Sequence, residues 1–367
     1  METFDVVVVG LGVHGSATAR ELAMRGLRVL GVEQSPETEV WGASCGPARM
    51  VREVDVHRPK LTALAIESVA RWNELSLGRT TAILRPVTGI FVGIDQPAPG
   101  QGLTEHLAPV SPDSPWLIGL TDERRDVLAD LRCGLLDAPL GVRALRSEAR
   151  GAGADLVFGR KAVLTAPSKD GRPVTVRVGS TVVRAEQVLI CTGAWAAEGP
   201  AWARPDLRVV PAFMQVATWS GGLGGLSPDC FYVFYETGQM FCVIPLVDGQ
   251  RLQFGHFSLP VDAEDMSAAA LARATWLRDS AVLRRYVPNI GHPVRMETVH
   301  AAYSFPPADE FALRWLAPGI ATLTACSGVG FKYAPSVAAR VASVLGQRGE
   351  PRGDVVIAHH DESTFGR

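Results

Sequence analysis

Long apolar runs are missing from this chain of 367 residues. No stretch approaches the ~18 uninterrupted apolar residues of a membrane helix, so a helical membrane span is not expected. Blocks of like charge are missing too, and the formal net charge is −2. That leaves no electrostatic footprint for nucleic acid or for an anionic membrane surface. The six cysteines, at 45, 133, 191, 230, 242 and 326, include no C-x-x-C pair. Neither a zinc site nor a disulfide framework is suggested. The eight histidines have no ligand spacing, and no metal is expected. No basic n-region precedes the first apolar stretch, so no secretory signal is read. The expectation is a cytoplasmic protein with reduced thiols.

What is present is an ordinary globular composition, 47% hydrophobic and 20% charged. At roughly 100–200 residues per domain, the length suggests two domains, separate or interleaved. Residues 5–10 are nearly all valine, as suits a parallel strand buried on both faces. A helix over about 15–25 and the strand "LRVLGVE" complete a β-α-β unit. Residues 35–60 read as mostly irregular, and 61–76 as a helix. Between 85 and 139, short strands mix with Pro-rich loops ("QPAPG", "VSPDSP") and a charged helix near "TDERRDVLADL". A helix over 141–153 leads into short strands ending in "QVLICTGAW". After Pro211, "AFMQVATW", "CFYVFYE", "MFCVIPLV" and "RLQFGHF" read as an antiparallel sheet, with "SGGLGGLSP" a linker or a lid. An Ala-rich helix over 267–285 follows. Strand, glycine turn and helix then close the pattern in "ATLTACSGVGFKYAPSVAARVASVLG".

The opening stretch, "FDVVVVGLGVHGSATA", places Gly10-x-Gly12-x-x-Gly15 between a strand and a helix, the context a dinucleotide fingerprint requires. Gly10 allows the turn, Gly12 lets the backbone approach a pyrophosphate, and Gly15 lets helix and strand pack closely. The phosphates would sit at the helix's positive end. Glu33, at the end of the second strand, can accept from ribose hydroxyls and disfavours a 2′-phosphate. The turn alone does not separate FAD from NAD. The departure into antiparallel strands, and a last β-turn-α unit near the C-terminus, favour FAD. The stretch "GASCG" matches the hydrolase pattern G-x-S-x-G. That pattern needs a strand before Ser44, and "SPETEV" is not one.

The block "GASCGPARMVRE", with "TGAW" at 192–195 and "SGVGFKY" at 327–333, resembles the flavin-dependent amine oxidases of the monomeric sarcosine oxidase and N-methyltryptophan oxidase family. The likeness runs from the N-terminus to about residue 357. It implies an α/β fold: a Rossmann-type FAD-binding domain (1–85, 141–211, 301–367) and a second, antiparallel-sheet substrate domain (86–140, 212–300). It implies oxidation of secondary or N-methylated amino acids on FAD. By position, Ser44, Arg49 and Arg52 would lie against the flavin, and Arg52 and Lys332 would grip a substrate carboxylate. An Arg fork and a Lys point charge suit one anion. Gly328 and Gly330 would let a helix start face the flavin's electron-rich edge. Val163, Gly193, Trp195 and Phe331 complete the expected cofactor-binding set.

Two departures stand out. The cysteine that bonds the flavin in family members is replaced by Ala301 in "HAAYSFPPADEF", so FAD is expected to be non-covalent, with Cys242 or Cys326 as remote alternatives. Family oxidases also carry a lysine over the flavin that helps oxygen take its first electron; here Gln253 holds that place. At an effective dielectric of ~20, a cation ~4 Å away is worth about 4 kcal/mol, so its loss would slow oxygen reduction by roughly a thousandfold. His256 is a stand-in cation or a structural residue. The candidate catalytic set is therefore Arg52, Lys332, Gln253 and His256. The expected partners are a carboxylated amine and oxygen or another electron acceptor, with the chain a monomer. Two other readings stay open: a dehydrogenase or biosynthetic tailoring enzyme acting on a cyclic imino acid or larger intermediate, and a nucleotide-binding protein without turnover.

Overall fold

The computed structural model describes residues 1–53, 58–93, 107–121, 126–165, 173–236, 239–256, 267–306, 310–346 and 353–359. The chain begins β1 (Thr3–Val9), α1 (Val13–Met24), β2 (Val29–Val32), β3 (Ala48–Arg52), α2 (Thr62–Ser76), β4 (Leu84–Val92), β5 (Leu107–Pro109), β6 (Val127–Asp137) and α3 (Ala138–Gly151). It continues β7 (Asp155–Val157), β8 (Ala162–Leu164), β9 (Val174–Val178), β10 (Thr181–Ile190), β11 (Arg208–Ser220), β12 (Cys230–Glu236), β13 (Gln239–Pro245) and β14 (Arg251–His256). The last elements are α4 (Ala268–Tyr286), β15 (His292–Phe305), β16 (Glu310–Ala317), β17 (Ile320–Thr324), α5 (Ala334–Leu345) and β18 (Val355–His359).

Two sheets result. The first runs β18-β16-β17-β10-β1-β2-β7, with β8 and β9 attached to β10. Its centre is parallel: β1 lies between β2 and β10, and β10 meets β17. Strand β1 is buried on both faces because its valines serve two cores. Val6 and Val8 pack with Ala19 and Leu22 of α1 and with Val337 and Val341 of α5. Phe4 and Val7 pack on the β8–β9 side with Val176 and Val188. The second sheet runs β15-β11-β14-β13-β12-β4-β6-β3, with β5 beside β6. It is antiparallel except at β4–β12, which are parallel. Helix α4 covers one face, where its Leu283 and Tyr286 share a core with Phe254 of β14. The opposite face gathers Ala48, Phe91, Cys133, Val233, Cys242 and Ile244.

Several local expectations change. Residues 127–137 form β6, not the end of a charged helix; residues 122–125 lie outside the described residues, as does the loop at 96–100. Strand pairing wins because β6 is held by β4 on one edge and by β3 and β5 on the other. The stretch 35–60 is not wholly irregular, since it contains β3. "TVVRA" and "QVLI" are one continuous strand, β10. The glycine-rich segment 220–228 is pinned by buried Leu223 and Leu226. Strand β3 falls within 1–85 yet pairs in the second sheet, and β15 runs unbroken across residue 301. Among the described residues, no helix is long and apolar enough to cross a membrane.

Candidate active site

A cavity of about 570 Å³ lies where the two sheets meet. It is bordered by Gly10, Gly12, Glu33, Ser44, Arg49, Arg52, Val163, Gly193, Trp195, Gln253, His256, Gly328, Gly330, Phe331 and Lys332. Gly15 does not border it; it works behind the turn, where a Cβ would fall 1.8 Å from the Gly10 carbonyl oxygen.

The glycine turn is built as a phosphate cradle. Gly10 holds φ +93°, and a Cβ there would meet the Cys191 carbonyl oxygen at 2.7 Å. A Cβ on Gly12 would fall 2.9 Å from Ser44 Oγ. Gly12, the N-cap of α1, brings no side chain of its own over the helix start, which leaves room for an anion to approach. Ser44 Oγ accepts from the Val13 N–H at 3.0 Å. Ser44 itself sits in the 3-10 turn Gly42–Ser44, with no preceding strand to make it a hydrolase nucleophile. The Glu33 carboxylate accepts from the N–H groups of Leu11 (2.7 Å) and Ser35 (3.0 Å). Lone pairs remain on both oxygens for ribose hydroxyls. Arg146, not anticipated, donates twice to the Leu11 carbonyl, at 3.1 and 2.8 Å. Val163 borders the cavity from β8, and Trp195 from the turn after β10, its ring lying against Gly42. These donors, openings and acceptors fit the pyrophosphate and ribose of a dinucleotide.

The other end is cationic and apolar. Arg52 and Lys332 are each only 7% exposed. Arg52 donates from Nη1 to Tyr235 Oη at 3.4 Å and lies over the Phe91 ring. Lys332 belongs to the 3-10 turn Gly330–Tyr333, which packs against β3. Its carbonyl accepts from Trp72 Nε1 at 2.9 Å, and Trp72 stacks on Phe331. Arg49 donates to the carbonyls of Ala43, Cys45 and Ala48 and lies over Phe331. Gly330 is obligatory, since a Cβ would lie 1.7 Å from the Ala325 carbonyl oxygen. The N–H groups of Val329 and Gly330 are both spent on the Cys326 carbonyl. Ser327, at φ 41°, is the described non-glycine residue with positive φ, strain of the kind that gathers at functional turns.

A scan for known families matches residues 5–344 to FAD dependent oxidoreductases of the DAO type. The chain belongs to the DAO family of FAD-dependent oxidoreductases. It is 27% identical to monomeric sarcosine oxidase of Streptomyces avermitilis, over 93% of each chain. It is 24% identical to N-methyl-L-tryptophan oxidase of Salmonella arizonae, over 90% of this chain and 92% of the relative. Its fold matches the open form of NikD, an unusual amino acid oxidase essential for nikkomycin biosynthesis, with a TM-score of 0.76, 20% identity and full coverage of both chains.

In this FAD-dependent oxidoreductase the remaining candidates separate. Gln253 is 6% exposed and is tied to the backbone of Ala48. The His256 side chain is 2% exposed and turned toward α4, its Nδ1 2.7 Å from Asp279 Oδ1. Ala301 lies outside the cavity lining, whereas Cys242 and Cys326 border it. Burial pushes the Cys242 thiol up to about 12. Residues missed from sequence include Tyr303, whose hydroxyl burial also pushes to about 12, and the buried Arg58. His14, an x of the fingerprint, borders the cavity with both ring nitrogens shut from solvent. Burial depresses it to about 4, against raising contributions from the backbone at Ala325 and Gly330. Its position inside the motif was the available signal. Tyr303 lay in the block "HAAYSFPPADEF", two residues after Ala301, with no role given to it there; Arg58 carried no signal.

Proposed function

We propose that this enzyme oxidises the C–N bond of a carboxylated secondary or N-methylated amine, an amino or imino acid, with FAD held non-covalently and with weak reactivity toward oxygen. The observation that carries the reading is a pair of buried cations, Arg52 from β3 and Lys332 from the turn before α5, bordering one cavity. A fork and a point charge from distant parts of the chain suit one carboxylate. Bound FAD supplies the hydride acceptor. The glycine turn, Glu33 and Ser44 would hold its dinucleotide part, and Arg49, Phe331 and Lys332 would flank its ring end.

The chain's own residues orient the amine. Met50, Val233, Met240, Cys242 and Ile244 border the cavity from the second sheet and favour an apolar substituent. The bordering acids among the described residues are Glu33 and Glu198. Glu33 is engaged at the glycine turn, and Glu198 closes the turn after β10. The reacting end therefore offers no carboxylate to a basic side chain. Tyr303, kept protonated by burial, can orient substrate through its hydroxyl. Weak oxygen reactivity follows from uncharged Gln253. The lysines are at 60, 161, 169 and 332, and Lys332 is assigned to the carboxylate. A second reading, a dehydrogenase or tailoring enzyme for a cyclic imino acid, is favoured by the same glutamine.

The test is a screen of secondary, N-methylated and cyclic amino acids, in air and anaerobically with an artificial electron acceptor. Turnover that depends on the acceptor supports the reading. Turnover of amines without a carboxylate, at equal kcat/KM, would remove the clamp from it. Absence of turnover with any amine and either acceptor would leave the non-catalytic alternative standing. Acid precipitation should carry all flavin absorbance into the supernatant; colour in the pellet would mean a covalent bond.

A further inference from the structure

Strand β3 is an edge strand, and its partner on one side is β6. Ala48 stands opposite Asp137. Its N–H and C=O both engage the side chain of Gln253, 205 residues away. The N–H donates to Oε1 at 3.1 Å, and Nε2 donates to the carbonyl at 3.3 Å and to Met214 Sδ at 3.5 Å. The carboxamide thus acts as one rung of a strand that is not there. The same Ala48 carbonyl accepts from Arg49 Nη1 at 2.8 Å. Arg49 lies over Phe331, the neighbour of Lys332. A continuous set of contacts runs from β14 through Ala48 and Arg49 to the lysine turn, and along β3 to Arg52.

We infer that Gln253 is a positioning residue: its carboxamide closes the free edge of β3 at Ala48 and so holds Arg49 and Arg52 in place at the reacting end. This rests on the carboxylate clamp proposed above and adds a reason for glutamine that is independent of oxygen. A carboxamide of this length both accepts from the N–H and donates to the C=O. Lysine can donate but not accept. Ionised glutamate can accept but not donate, whereas a protonated glutamic acid does both.

The experiment titrates the holoenzyme with benzoate, an unreactive carboxylate, and follows perturbation of the visible flavin band across pH 6–8. Gln253→Met, similar in size but without either bond, should raise the benzoate Kd roughly tenfold at every pH, as the loss of two net hydrogen bonds implies. Gln253→Glu should bind weakly at pH 8 and recover toward wild type as pH falls, with no such recovery in wild type or in Gln253→Met. A Gln253→Met enzyme that binds benzoate as tightly as wild type overturns the inference. A recovery in Gln253→Glu alongside unimpaired Gln253→Met would mean simple charge repulsion, and overturns it too. A wild-type holoenzyme whose flavin responds to no carboxylate removes the clamp itself, and this inference with it.

Discussion

At the scale of single residues, charge and burial decide the chemistry. Arg52→Lys keeps a cation but loses the fork. We expect KM for the carboxylated amine to rise about 10- to 100-fold, on the scale of a charge-assisted hydrogen bond, with a smaller change in kcat. Steady-state kinetics would show this, and an unchanged KM would take Arg52 out of the clamp. His14 sets a pH limit on stability. Its folded pKa lies near 4 and its ordinary value is 6.5. The unfolded state therefore binds the proton first as pH falls, and stability is lost between about pH 6.5 and 4. The loss is about 3 kcal/mol at most, by linkage. Melting curves of the ligand-free protein should show that slope, and His14→Gln should flatten it. Tyr303 and Cys242 stay protonated to about pH 12, so neither contributes an ionisation to kcat/KM between pH 7 and 10.

At the scale of elements, α2 props the lysine turn. Trp72 is fully buried, stacks on Phe331 and donates to the Lys332 carbonyl. Trp72→Phe keeps most of the packing and loses the bond, and should cost roughly 1 kcal/mol while raising KM. Trp72→Ala should cost about 3–5 kcal/mol. Denaturant unfolding and substrate kinetics would separate the two effects; Trp72→Phe with unaltered KM would mean that α2 does not place Lys332. The helices are also laced by ion pairs: Arg20 with Glu21 and Glu148, Arg71 with Glu21 and Glu67, and Arg340 with Glu67. Burial works to raise the Glu67 carboxyl, and Arg340 and Arg71 outweigh it, leaving it below its ordinary value. These pairs are partly exposed, so Glu67→Gln should cost less than about 1 kcal/mol.

At the scale of the whole molecule, the site is a seam. The glycine turn and Lys332 come from the first sheet and its connections, and Arg52, Gln253 and Tyr303 from the second. A ligand filling the seam stabilises both sheets at once. At 100 times its Kd, added FAD should contribute about 2.7 kcal/mol to folding, visible as one cooperative melt moving upward. Two separate transitions, only one of them moved by FAD, would contradict the shared seam.

What the sequence determined by itself is local. Gly10, Gly12 and Gly15 were legible because their spacing is short and sits between a strand and a helix. Gly10 takes φ +93°, and Gly15 packs on the Gly10 carbonyl five residues back. Strand β1 was legible because an unbroken valine run suits a doubly covered strand. The resemblance rested on short blocks that carry their own turns. What only the tertiary structure decided is pairing across distance. Strand β3 was hidden in an irregular-looking stretch because its five residues gain strand geometry from β6 and from Gln253. The charged neighbourhood of β6 gave no sign of partners on both edges. His256 looked equally suited to the core and to the flavin until α4 placed Asp279 beside it. Those outcomes depend on which groups the fold brings within hydrogen-bonding distance, and spacing along the chain carries no record of that.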